Sequence, residues 1–132
     1  LTWQSEMADI CETARLLSSC NVAEIEFDNG VFFEVYFAMS SEQRKKGLGW
    51  LQHLDLSGML FCYDYPTVVP FTAKNVLMDL DIAWYNSSGS QLDKRTVKAG
   101  DVNPICSPGF FSYVLETPAG SLPDGNIRLR KD

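Results

Sequence analysis

The chain has 132 residues, the length of one ordinary domain, with 45% hydrophobic and 21% charged residues, a composition that excludes a disordered polymer. Eleven Lys and Arg against seventeen Asp and Glu give a net charge of −6, which argues against a phosphate-backbone partner such as nucleic acid. No run of ~18 apolar residues is present, so no membrane span is expected, and a single histidine (His53) with no Cys-x-x-Cys pair excludes the common zinc sites.

From the N-terminus, Met7, Ile10, Cys11, Ala14 and Leu17 recur at helical spacing opposite Glu6, Asp9, Glu12 and Arg15. This pattern predicts an amphipathic helix over 5–19 with its apolar stripe docked. Residues 1–21 are accordingly expected to be a helical extension packed on a single β-rich domain, 22–132. From Val22 the period switches to two: Ile25, Phe27, Val31, Phe33, Val35 and Phe37 alternate with a largely acidic face. Asn29-Gly30 between the runs predicts a hairpin closed by a two-residue type I′ turn.

Ser40 and Gln43 form a capping-box signal, so SSEQRKK is expected to start a short helix ending near Gly47 and Gly49. The basic run Arg44-Lys45-Lys46 would then complement the helix dipole. The nearly continuous apolar run Gly58–Tyr63 reads as a strand buried on both faces, and Pro66 and Pro70 bracket a loop. Met78, Leu80, Ile82 and Trp84 share one face of a following strand, with Asp79 and Asp81 on the other. Asn86-Ser87-Ser88-Gly89 is a turn that also fits a glycosylation sequon. Residues 100–109 form a loop, and Phe110–Glu116 and Asn126–Arg130 read as strands. The fold class that follows is mainly β: an antiparallel sandwich or distorted barrel of roughly seven to nine short strands with an N-terminal helix and one short helix. In it the odd face of the hairpin would pack on Met78, Leu80, Ile82 and Trp84.

Cys11 and Cys20, nine steps apart on one continuous helix, would lie on opposite faces, which excludes their pairing unless the helix stops early. Whether Cys62 and Cys106 pair is left open by the sequence. The chain begins at Leu1 rather than methionine, so a processed or trimmed start is expected. Secretion or a periplasmic location would follow from a removed signal, and a cytoplasmic one otherwise. All six surplus negative charges lie before Lys74, an asymmetry that serves solubility or steers a basic partner.

The order and spacing of Gly47-Leu48, Leu54, Gly58-Met59-Leu60-Phe61, Phe71, Lys74-Asn75, Leu77, Leu80-Asp81-Ile82, Tyr113-Val114-Leu115-Glu116, Gly120 and Gly125 resemble the domain of unknown function 192 family over about residues 31–130. The resemblance implies a small β-rich domain, mainly prokaryotic or phage-encoded, often behind a secretion signal and with no settled activity. The family's Gly-Leu-Met-basic is here Gly47-Leu48-Gly49-Trp50-Leu51, and its Phe-Trp-Met-Lys-Asn-Thr is Phe71-Thr72-Ala73-Lys74-Asn75-Val76. Its Pro-Leu-Asp has become Asp79-Leu80-Asp81, and its late Gly-Asp has become Gly125-Asn126.

The polar residues kept from that pattern, Arg44, Lys74, Asn75, Asp81 and Glu116, are the candidate ligand-binding residues. Lys74 would supply charge for a small anion and Asn75 orienting hydrogen bonds, in a hollow left by the missing Trp and Met. Alternatively Lys74 pairs with Asp81 or Glu116 as a structural ion pair. Asp79 and Asp81 lie ~6–7 Å apart on one strand face and could hold Ca²⁺ or act as acid and base. No nucleophile–base signature, phosphate loop or dinucleotide fingerprint is present, so neither catalytic residues, nor a metal, nor a cofactor is expected. The expected function is a non-catalytic small-ligand or protein-binding module with a small anion or a protein as partner. Its rivals are a hydrolase using Lys74, Asp81 and Glu116, and a structural component of a phage or envelope assembly.

Overall fold

The computed structural model describes residues 3–130. Helix α1 runs Trp3–Ser19 and the short α2 Ser41–Lys46. Seven strands follow the order β1 Asn21–Phe27, β2 Phe32–Ala38, β3 Gly58–Thr67, β4 Leu80–Tyr85, β5 Gln91–Val97, β6 Phe111–Pro118 and β7 Ile127–Arg130. They form one curled half-barrel sheet in the order β5-β4-β6-β3-β2-β1-β7. The chain is mainly β with the two helices expected. Every ladder is antiparallel except β2–β3, where Val35–Ala38 runs parallel to Gly58–Phe61 across the α2 crossover.

Local chemistry accounts for the elements. The hairpin forms as the alternation requires, but its loop has three residues, Asp28-Asn29-Gly30, and only Gly30 takes a positive φ, 85°. Asn29 instead uses its side chain to accept from the Val31 N–H at 3.0 Å, so a type I turn closed by a glycine replaces the type I′ turn. Ser40 Oγ accepts from Gln43 N while Gln43 Oε1 accepts from Ser40 N, the full capping box of α2. Pro66 does not end β3, which continues to Thr67 through a register shift against β6. Strand β5, which no hydrophobic alternation announces, is a charged edge in which only Val97 is buried.

Both faces of the sheet are covered. One core gathers Ile25, Phe27, Val35, Leu60, Ala83, Tyr85, Leu115 and Ile127; the other gathers Met59, Phe61, Leu80, Ile82, Trp84 and Val114 beneath Leu48, Ala73 and Val76. The odd face of the hairpin therefore packs on the odd residues of β4, Ala83 and Tyr85, and not on Leu80, Ile82 and Trp84. Register explains the change of side: Phe37 pairs with Leu60, Leu60 with Leu115 and Leu115 with Ala83, so these residues share one face. The N–H of Ile127 in β7 donates to Gly89 O at 2.8 Å and closes the curl over that core. A Cβ on Gly89 would fall 2.1 Å from the Ile127 carbonyl oxygen, so this closure needs glycine.

Helix α1 is rolled relative to its expected seating. Thr13 and Leu16 are buried and Leu17 packs half-buried on the core, while Met7, Ile10, Cys11 and Ala14 are exposed. The roll follows from polar ties to α2: Lys46 Nζ reaches Asp9 at 3.2 Å and Glu12 at 3.9 Å, and Gln43 Nε2 donates to Ser19 Oγ at 3.0 Å. Among the described residues no helix is long and apolar enough to cross a membrane. All four cysteines are free, so Cys62 and Cys106 do not pair.

Candidate functional site

The parity of β4 and β6 decides which candidate residues meet. Asp81 lies directly opposite Thr117 and Ile82 directly opposite Glu116, so Asp81 and Glu116 project from opposite faces of the sheet. Glu116 falls on the face covered by α2 and the 70–76 loop, and there it lines a pocket of about 380 Å³. Arg44, Lys74 and Asn75 line the same pocket, with Phe61, Tyr63, Phe71 and Thr72 as further walls.

Asp81 is outside it. Its Oδ1 accepts from Thr96 Oγ1 at 2.8 Å, and its Oδ2 accepts from the N–H groups of Gly120 and Leu122 at 2.8 and 3.2 Å. These bonds make it the anchor of the 118–122 turn. Asp79 is engaged separately: it accepts from Ala99 N at 2.8 Å, which with Lys98 holds its carboxyl below the usual range. No cluster of three metal-ligating side chains occurs among the described residues. The grouping of Asp81 with Lys74 and Glu116 is therefore not assembled by the fold.

Each wall of the pocket has a local cause. Arg44 Nη1 donates to Cys62 O at 2.9 Å and to Met39 O, with its guanidinium 4.6 Å from the Tyr63 ring centre. It thus staples α2 to β3 and presents only part of its charge to the pocket. The 70–76 loop is tied at Phe71, which exchanges backbone hydrogen bonds with Ile105 at 2.9 and 2.7 Å, and at Ala73, which donates to Asp101 O at 3.0 Å. Its far end is held by Trp50, whose N–H donates to Asn75 O at 2.7 Å. Trp50 does this at φ 68°, a costly backbone for a bulky residue. Phe61 and Phe71 meet edge-on at 5.5 Å and give the pocket an aromatic side.

Lys74 and Asn75 stand exposed at the mouth, and Lys74 forms no ion pair among the described residues. The expected bridge from Lys74 to Asp81 or Glu116 is not made. Glu116 is the opposite case: 6% exposed, with burial as the one cause that moves its carboxyl, up to about 8. No hydrogen bond or nearby cation among the described residues draws it back, so burial favours its neutral form. That combination was invisible in the sequence. The alternation Val114–Glu116 gives the face, but only the loop ties show that nothing else fills the space.

A family model described as Uncharacterized ACR, the domain of unknown function 192, matches residues 24–129. No curated protein matches the chain. The fold is similar to that of a protein from Sinorhizobium meliloti described as a candidate transcription regulator, with TM-score 0.75 and 23% identity over 85% of this chain and 95% of that one. It is also similar to a protein of unknown function from Novosphingobium aromaticivorans, with TM-score 0.72 and 22% identity over 83% and 84% of the two chains.

Proposed function

For a chain that belongs to the domain of unknown function 192 family, whose description carries no activity, we propose a function read from the pocket itself: a non-catalytic module that binds one small organic molecule. A single observation carries this reading. Glu116 is buried, has no partner among the described residues and opens onto a cavity large enough for a ligand. A bound molecule would supply the hydrogen-bond partner that the described residues do not give this carboxyl. Phe61, Tyr63 and Phe71 supply the apolar surface for the body of the ligand, and Asn75 and Lys74 supply polar groups at the mouth.

Binding is favoured over hydrolysis because the three groups a hydrolase would combine are split by the sheet, with Asp81 committed to the 118–122 turn. The reading is tested by ligand-observed NMR with a set of small aromatic acids and amidines. At least one should bind the parent chain and lose binding in Phe71→Ala. Binding by none, or binding indifferent to that change, would overturn it.

A further inference from the structure

The charge around Glu116 selects among ligands. Arg44, Lys45 and Lys46 line the pocket from α2, Lys74 from the 70–76 loop and Tyr63 from β3, with Glu116 the only acidic group among the described residues that line it. Behind Glu116, β4, β5 and Ile105 present only apolar Leu80, Ile82, Val97 and Ile105. Lys46 is held by Asp9 and Glu12, and Arg44 by two carbonyls and a ring. Lys45 and Lys74 are exposed and form no ion pair among the described residues. A cationic ligand would enter against like charge, whereas an anion is drawn in. At the floor the anion meets Glu116, and two ionised carboxylates cannot share such a site, whereas one proton between them makes a strong hydrogen bond.

On the premise that the pocket is a binding site, we infer that its ligand is an organic carboxylate whose oxygen accepts the Glu116 proton while Lys74 balances its charge at the mouth. Burial of Glu116 fits this, since its carboxyl keeps its proton up to about pH 8. Below that pH the donor is ready and the ligand binds without proton exchange. Above it, each ligand bound takes one proton from solvent onto Glu116, and the affinity falls about tenfold per pH unit.

The test is calorimetric titration with benzoate, and with benzamidinium as a flat cation of similar size, from pH 6 to 9.5 in two buffers of different ionisation heat. Benzoate should bind, with uptake approaching one proton at pH 9.5 and none at pH 6. In Glu116→Gln the amide still donates, so benzoate should bind without that proton count. Should that variant not fold, Lys74→Met serves: several-fold weaker benzoate binding with the proton count kept. Benzoate binding that is flat in pH with no proton uptake overturns the inference. Benzamidinium binding with proton release also overturns it while leaving the binding pocket standing, and binding of neither probe overturns it too, the pocket itself then resting on the wider set of acids and amidines.

Discussion

Gly58 of β3 lies so close to Glu116 of β6 that a Cβ on the glycine would fall 2.2 Å from the Glu116 carbonyl oxygen. Thr117 Cγ2 closes the same space at 3.0 Å, so neither strand can give way by rotating a side chain. Here the sheet passes from its parallel pair, Val35 opposite Gly58, to the antiparallel β3–β6 ladder that carries Glu116. The backbone under the pocket is thus set by an absent side chain.

Gly58→Ala should therefore push β3 away from β6 beneath the pocket. The expected loss is about 3 kcal/mol, the upper range for overpacking, because the obstacle is backbone. Urea unfolding of the variant beside the parent measures it, and a loss under ~0.5 kcal/mol would show that β3 and β6 yield to an added methyl group.

Glu116 should make the protein less stable as pH rises. Its carboxyl is raised from 4.5 to about 8 in the folded chain, so between those values the folded state holds a proton that the unfolded state has released. Stability then falls with rising pH across that window and levels off above it, by on the order of 5 kcal/mol in all. Glu116→Gln should remove this slope: equal to the parent near pH 4 and more stable at pH 9. Parallel curves for the two proteins from pH 4 to 9 would contradict the burial of that carboxyl.

Much of this was readable from residue types, and what escaped did so for physical reasons. The hairpin and the capping box rest on local chemistry, in Gly30 and in the Ser40–Gln43 exchange, and both are present. The loop length was missed because Asn29 could satisfy its neighbour by side chain as well as by a left-handed backbone. Strand β5 escaped because Gln91–Val97 buries only its last residue and an edge strand needs no alternation. The apolar stripe of α1 misled, since the ties from Lys46 to Asp9 and Glu12 turn the helix by its charged side. For the site, Arg44, Lys74, Asn75 and Glu116 were legible as a set. That Asp81 stands apart follows from its odd position beside Ile82, a parity meaningful only once Ile82 is known to face Glu116.

The thiols should divide by burial. Burial pushes Cys62 up to about 12, despite a lowering influence from Arg44, and raises Cys20 as well, while Cys11 and Cys106 are exposed. Under native conditions at pH 8 a disulfide reagent should modify Cys11 and Cys106 first and Cys20 more slowly. Cys62 should react only after denaturation, as mass spectrometry of quenched samples would show. Early labelling of Cys62 would mean that the β3–β6 core opens far more readily than its packing implies.

Asp81 and Lys74, grouped by the sequence, should respond to mutation in opposite ways. Removing the Asp81 carboxylate in Asp81→Ala strands the N–H groups of Gly120 and Leu122, the latter a buried bond, and frees Thr96 Oγ1. Charge-assisted bonds of this kind leave a cost of about 3 kcal/mol when the acceptor goes. The pocket lies on the other face of the sheet, so benzoate affinity of the folded fraction should be unchanged. Lys74→Met removes an exposed group that has no ion pair among the described residues, so its stability cost should stay below ~0.5 kcal/mol. Its effect should fall instead on anion binding, weakened several-fold and with less dependence on salt. Denaturation and titration of both variants separate the roles: a large stability loss in Lys74→Met would restore the structural ion pair, and weakened binding in Asp81→Ala would return Asp81 to the site.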